Sequence, residues 1–219
     1  MQRVLEPEIM DDPDQALAYA RADFATENQA FVELFLLYYP DVTEGHILDL
    51  GCGPADIPIR LARALPGCRI TGVDASAPMI RLGEEAVEAS DLGGRISLRC
   101  GRYQDLLLNE QIDAVISNSL LHHLSNPLNF WHALKRWLRP GSPVLVMDLV
   151  RPESPQTAQA IVERYAADEP AILKRDFYNS LLAAFTEDEV AAQLAELNLS
   201  RLLIDVIDDR HWAVGGRLC

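Results

Sequence analysis

Apolar residues along the chain follow two different periods. Runs at 47–50, 69–73, 96–100, 114–117 and 144–149 are too short for helices and apolar enough to be covered on both faces, which predicts buried strands. Helical stretches at 57–65, 77–89 and 127–138 lie between them. The last of these is opened by Asn126-Pro127 and closed by Arg139-Pro140-Gly141. Each parallel crossover needs a helix, so this alternation predicts an α/β fold: a doubly wound, mostly parallel sheet covered on both sides.

The flanks read differently. Asp12-Pro13 starts a helix, because Pro fits the first helical position and Asp accepts from the exposed amides. Phe31, Leu34, Phe35 and Tyr38 form a buried helical stripe that stops at Pro40. Residues 151–185 break the strand-helix rhythm and read as a helical insertion punctuated by Pro155 and Pro170. Thr186 and Glu189 make a capping box for a helix to Leu197. Runs at 202–207 and 212–214 then predict two strands, and the link 209–211 is so short that they form an antiparallel hairpin. The expected division is an N-terminal helical cover (1–44), an α/β core (45–150), a helical insertion acting as a lid (151–185), and a last helix with the hairpin (186–219), all in one domain with seven strands.

Composition narrows the function classes. At 219 residues with 49% hydrophobic and 24% charged side chains, the chain can bury a core and is neither disordered nor fibrous. Lys plus Arg total 19 against 33 Asp plus Glu, a net charge of -14. That field repels phosphate backbones, so neither nucleic acid nor a membrane is an expected partner. Cys52, Cys68, Cys100 and Cys219 form no C-x-x-C pair and have no zinc-like spacing to a histidine. Reduced thiols, the acids Glu6 and Glu8 in place of a basic leader, and no apolar run of 18 residues predict a cytoplasmic protein.

The chemistry concentrates where the first strand ends. Ile47-Leu48-Asp49-Leu50 runs into Gly51-Cys52-Gly53-Pro54-Ala55-Asp56 and a helix, and two glycines let backbone approach a ligand closely. The second strand ends in Val73-Asp74, where a carboxylate can accept both hydroxyls of a ribose. A glycine turn with a distant acid also suits a dinucleotide. Asp49 and Asp56 tip the balance, since Asp56 stands where a third glycine belongs and both acids flank the turn. A like-charge contact at 4 Å and an effective dielectric near 20 is worth about 4 kcal/mol, which disfavours a diphosphate and favours a ligand carrying an ammonium and a sulfonium.

Four segments in order, ILDLGCGPAD (47–56), ITGVDAS (70–76), DAVISNSLLHHL (113–124) and LKRWLRPGSPVLVMD (134–148), resemble the motifs of the class I S-adenosylmethionine-dependent methyltransferases. The likeness runs from about Gly45 to Leu149. It implies a Rossmann-like seven-stranded sheet ending in an antiparallel hairpin, with S-adenosylmethionine as cofactor. On that resemblance Asp49, Gly51 and Gly53 surround the methionine part, Asp74 binds the ribose, Ala75 and Met79 border the adenine, and Asn118 and Ser119 line the methyl side. The sequence departs from the family after the third strand. The family commonly has Gly-Asp there to accept from the adenine amino group, whereas Gly101 is followed by Arg102, which cannot accept. Either Gln104 or Asp105 substitutes, or backbone near Tyr103 holds the base.

Methyl transfer mainly needs alignment and exclusion of water, and a base only if the nucleophile arrives protonated. His122 and His123 follow the fourth strand and His211 sits in the hairpin turn, so these three are the candidate bases. The plainer readings are a strand-capping His-His pair and a solvated turn of Asp208, Asp209, Arg210 and His211. Arg151 is either pocket lining or surface, and His46 and His132 read as surface. Tyr19, Asp23 and Phe24, with Tyr165, Arg175, Asp176, Phe177 and Tyr178, belong to helical covers that suit an enclosed small-molecule acceptor. No histidine has a metal-ligand partner at helical spacing, and Asp148 alone makes no site, so no metal is expected. The expected function is methyl transfer from S-adenosylmethionine to oxygen, nitrogen or another nucleophile of a small molecule. The alternatives are an RNA or protein methyltransferase, a non-catalytic cofactor-binding module, and a dinucleotide-dependent oxidoreductase.

Overall fold

The short apolar runs pair into one sheet. In the computed structural model, which describes residues 1–6, 9, 11–108 and 110–218, the strands are β1 (Glu44–Leu50), β2 (Gly67–Asp74), β3 (Ile96–Cys100), β4 (Ala114–Asn118), β5 (Pro143–Leu149), β6 (Leu202–Val206) and β7 (His211–Arg217). Their order is β3-β2-β1-β4-β5-β7-β6. The pairs among β1 to β5 are parallel, and β7 is antiparallel to both β5 and β6. β6 therefore runs with the parallel strands, and its carboxyl end faces the same side as theirs. The order reverses between β1 and β4, which is where an open sheet of this kind leaves a crevice.

Alternation along the strands builds two apolar layers. Ile47, Ile70, Ile116, Leu145 and Met147 pack with Phe31 and Phe35 of α2 (Ala25–Tyr38), Ile57 and Leu61 of α3 (Asp56–Ala64) and Val87 of α4 (Ala77–Ala89). Leu48, Leu50, Val115, Val144 and Val146 face Phe130, Trp131 and Leu134 of α5 (Leu128–Trp137) and Val190 and Leu194 of α8 (Glu187–Glu196). Each such side chain stabilises the fold by about 1.5–3 kcal/mol when fully buried. Trp131 Nε1 donates to Gln193 Oε1 at 2.9 Å, which joins α5 to α8 without leaving a buried polar atom unpaired.

The insertion is helical, comprising α6 (Pro155–Tyr165) and α7 (Ala171–Ala183), with Leu149, Ala158, Ile161, Val162 and Leu181 in a smaller core of its own. α1 (Pro13–Arg21) is capped by Asp12, whose Oδ1 accepts from the amides of Asp14 and Gln15, and it packs against α4 and α7. Thr186 and Glu189 form the capping box of α8. None of the helices is long and apolar enough to cross a membrane among the described residues.

The predicted elements all occur, with ends moved by a few residues. β7 extends furthest past its predicted span, to Arg217, because Gly215 and Gly216 pair with Leu145 and Val144 through backbone alone. The ring of Tyr38 covers Gly215 so closely that an added Cβ would meet ring carbons at 2.5 Å. His46 is buried rather than on the surface, since β1 is a central strand covered on both faces, and its Nε2 lies 2.7 Å from Thr71 Oγ1. His132 is exposed, as expected.

Candidate active site

Local sequence shapes the first half of the site. After β1 the chain turns through Gly51 (φ 74°) and Gly53 (φ 51°), left-handed conformations that cost a glycine little. A Cβ on Gly51 would meet Leu120 at 3.0 Å, whereas one on Gly53 would meet nothing within 4 Å. The amides of Gly51 and Cys52 donate to Val73 O at 2.8 and 3.1 Å, tying the turn to the end of β2. There Asp74 Oδ2 accepts from Gly53 N at 2.9 Å and Oδ1 from Ser76 N at 2.8 Å. Burial pushes the Asp74 carboxyl above its usual range, with those two amides pulling it back. A cavity of about 290 Å³ opens in front of it, and Gly51, Gly53, Asp74, Ala75, Met79, Tyr103, Asn118 and Ser119 all line it.

The two acids expected to flank the turn behave differently. Asp49 is buried and outside the cavity wall, and its Oδ2 has no hydrogen-bond partner. Burial, helped by the charge of Asp74, pushes its carboxyl up to about 8. Asp56 opens α3 and points away, accepting from Asn28 Nδ2 at 2.9 Å and from Arg60 Nε at 2.6 Å. An i,i+4 partner and the helix N-terminus hold it there, and Asp49 is neutral below about 8, so neither acid sets a charge against a diphosphate at the turn as the sequence predicts. Of the two side chains expected to substitute at the adenine end, Gln104 lines the cavity and Asp105 does not.

Distant segments assemble the second half. Past β4 the chain makes one tight turn, Leu121–His123. His122 is 3% exposed, and its Nδ1 donates to Asp148 Oδ1 at 2.5 Å from the end of β5. Asp148 also accepts from the amides of His122 at 3.1 Å and Leu149 at 2.7 Å. Burial alone would lower the His122 pKa, but Asp148 and then Glu6 outweigh it and hold the ring above its ordinary value. Burial alone would raise the Asp148 carboxyl, but His122 and the amides keep it below its usual range. On the other side His122 Nε2 lies 3.4 Å from Glu6 Oε1, and His123 Nδ1 lies 3.2 Å from the same oxygen. Ser180 Oγ donates to Glu6 Oε1 at 3.0 Å, and the two imidazole rings lie 4.2 Å apart, tilted by 35°.

His122, His123, Arg210 and His211 all line the cavity. His211 Nδ1 is 3.0 Å from Asp208 Oδ2, and the Arg210 guanidinium lies over the Tyr165 ring at 3.7 Å with Nη2 3.2 Å from Glu27 Oε1. From the covers, Tyr19, Asp23, Phe24, Tyr165, Asp176 and Phe177 reach the cavity, whereas Arg175 and Tyr178 face a separate depression. Arg151 is neither pocket lining nor surface. It is buried, with Nη1 donating to Ala184 O at 3.1 Å and Nη2 to Glu189 Oε1 at 2.7 Å, and so anchors the insertion to α8.

Glu6 and Arg3 carry no sequence signal for the parts they play. Arg3 Nη2 donates to the carbonyls of His122 at 2.6 Å and Leu124 at 3.0 Å, its Nε donates to Ala183 O, and the guanidinium stacks on Phe185 at 3.8 Å. Residues 1–6 thus strap the histidine turn to α7, a contact across more than 100 positions. Glu6, His122 and His123 bring three potential ligand atoms within 4.8 Å of one another, a constellation that spacing along the chain does not show.

Residues 47–141 match the family model described as a methyltransferase domain. The chain is 31% identical over 116 residues to a demethylmenaquinone methyltransferase of Lactiplantibacillus plantarum, covering 52% of this chain and 48% of that protein. It is 32% identical over 169 residues to trans-aconitate 2-methyltransferase of Mycobacterium tuberculosis, covering 75% of this chain and 58% of that one. The chain spans about half the length of the curated relatives first matched. Among solved structures, an S-adenosylmethionine-dependent methyltransferase from Aquifex aeolicus superposes with a TM-score of 0.67 at 15% identity, covering 95% of this chain and 99% of that one. The plantazolicin methyltransferase BpumL bound to a triazolic substrate analogue and S-adenosylhomocysteine gives 0.71 at 15% identity, covering 94% and 92%. Residues 47–141 thus carry a methyltransferase domain, and the sheet around it has the fold of S-adenosylmethionine-dependent methyltransferases.

Proposed function

We propose that the protein transfers the methyl group of S-adenosylmethionine to a small molecule enclosed beneath α1 and the insertion. The observation that carries this reading is one continuous cavity that touches Gly53 and Asp74 on one side and His122 and His123 on the other. The residues present fit the cofactor. Asn118 Oδ1, on the cavity wall, is a buried acceptor without a protein partner, as a ligand with an ammonium and a sulfonium requires, and Gly53 leaves open space where a Cβ would intrude. When bound, the cofactor supplies a methyl carbon already activated by a positive sulfur.

In this reading Asp74 accepts the ribose hydroxyls with lone pairs that Gly53 and Ser76 leave unused. Gly51 and Gly53 give the methionine part its close approach, Ala75 and Met79 border the adenine, and Tyr103 and Gln104 flank it. Asn118 and Ser119 face the methyl group, while His122, His123 and His211 stand on the acceptor side. The covers exclude water and hold the acceptor in line. Demethylmenaquinone and trans-aconitate stand in the names of the relatives, and a cavity bordered by helical covers fits a small acceptor better than a polymer. The three described cysteines are free thiols, in keeping with a reducing, cytoplasmic setting.

Melting the protein with S-adenosylmethionine, with its demethylated product and with a nicotinamide dinucleotide tests the cofactor class. A ligand at 100 times its dissociation constant adds about 2.7 kcal/mol. Both sulfur compounds should raise the melting temperature, and a rise with the dinucleotide alone refutes the reading.

A further inference from the structure

We propose that Glu6, His122 and His123 form a binding site for a divalent transition metal on the acceptor wall of the cavity, with Asp148 as the outer partner that orients His122. Metal bonds of about 2.0–2.1 Å to imidazole nitrogen and about 2.0–2.2 Å to carboxylate oxygen, in a tetrahedral arrangement, separate neighbouring ligand atoms by about 3.4 Å. Glu6 Oε1 stands 3.4 Å from His122 Nε2 and 3.2 Å from His123 Nδ1, and the three ligand atoms lie within 4.8 Å of one another. The set is already gathered at the spacing a small cation imposes.

Three further features of the fold point the same way. His122 donates from Nδ1 to the buried Asp148 carboxylate, which fixes the tautomer that offers Nε2 outward, the arrangement that typically backs a metal-bound histidine. Glu6, 10% exposed, and His123, 17% exposed, are shielded, so this is not a solvated cluster of surface charges. Arg3 and Ser180 secure the ligands from outside the set: Arg3 holds the His122 carbonyl and Ser180 Oγ donates to Glu6 Oε1. Two imidazoles and one carboxylate suit zinc, iron or cobalt better than calcium or magnesium, which prefer all-oxygen shells.

Three protein ligands leave a position open, and His122 and His123 face the cavity. An acceptor hydroxyl or thiol placed there would lose its proton to solvent near neutral pH. The methyl carbon then gains its bond to that oxygen or sulfur as its bond to the cofactor sulfur breaks, the electron pair staying on the cofactor. This role depends on the methyl-transfer reading, but metal binding itself does not.

The test is metal uptake. Protein stripped with chelator is mixed with Zn2+ or Co2+, passed over a desalting column and assayed for bound metal and for Co2+ visible absorption. The site predicts about one metal per chain. Affinity should fall at least tenfold in Glu6→Gln and in His123→Ala, and about 10- to 100-fold in Asp148→Asn, with no change in His132→Ala, whose histidine is exposed elsewhere. Calorimetry with the demethylated cofactor on the same samples shows that the variants are folded, and Asp74→Ala should lose cofactor binding while keeping the metal. Failure of wild type to retain metal, retention unchanged by Glu6→Gln and His123→Ala together, or a thiolate absorption band that places Co2+ on a cysteine each overturns the proposal. If cofactor binds normally to protein that takes up no metal, the metal site falls and the methyl-transfer reading stands.

Discussion

The half of the cavity proposed for the cofactor and the half proposed for the acceptor share walls but are built by different means. Asp49, Gly51, Gly53 and Asp74 come from two neighbouring strand ends, held by amide bonds across one strand pair, Gly51 and Cys52 to Val73 O and Gly53 to Asp74. The acceptor wall gathers Glu6, His122, His123, Asp148 and Ser180, and depends on the strap of Arg3 across to Ala183. A ligand of constant structure can be met by a rigid local turn. An acceptor that differs between enzymes is met by covers drawn from elsewhere in the chain, which can change without disturbing the sheet.

The largest effect expected is on the cofactor half. Asp74→Ala removes two charged acceptors, and at about 1.5–3 kcal/mol for each such hydrogen bond the affinity for demethylated cofactor should drop by about 100-fold or more in calorimetry. Unchanged affinity removes the ribose role. A smaller effect concerns pH. Asp49 ionises at about 8, so in the empty protein it is neutral below that value. A cationic ligand favours the ionised form, hence binding releases a proton and affinity should rise by up to about tenfold per pH unit toward 8 before levelling. The same raised value means that the empty protein's stability contribution from Asp49 is lost as pH climbs from about 4 to 8. Asp49→Asn should flatten the affinity profile, and a steep slope that survives in this variant assigns the proton elsewhere.

How far each half was legible follows from the same contrast. The glycine turn is contiguous, Asp74 and Asn118 each end a strand and Gly101 follows one, and the apolar runs of all three strands are visible, so their convergence follows from sheet topology. The hairpin link likewise brings His211 and Arg210 to the cavity. Side-chain direction was not legible: Asp56 turns to Arg60 and Asn28, and Arg151 turns inward to Glu189. His46 looked like surface because a polar residue at a strand start ordinarily is, yet Thr71 on the adjacent strand gives it a buried partner. Glu6 and Arg3 were beyond reach, since no period or spacing links them to a turn more than 100 residues away.

The strap offers a way to separate the halves. Arg3→Ala removes three carbonyl contacts and the stacking on Phe185. Stability should fall by about 1–3 kcal/mol, amide exchange should quicken at residues 120–125, and cofactor affinity should stay within about twofold. Equal losses on both sides would show that the halves are not independent. The smallest change is Gln104→Ala, where one exposed hydrogen-bonding group at the adenine end is removed. About 0.5–1.5 kcal/mol is at stake, a weakening of about two- to tenfold in cofactor affinity with no effect on the acceptor's KM.

The most direct measurement is a crystal structure of the protein soaked with demethylated cofactor. The account predicts the ribose hydroxyls on the Asp74 carboxylate, the amino-acid part over Gly51 and Gly53, and the sulfur facing the space before His122 and His123. Density for the ribose away from Asp74, or a sulfur turned from that wall, contradicts it.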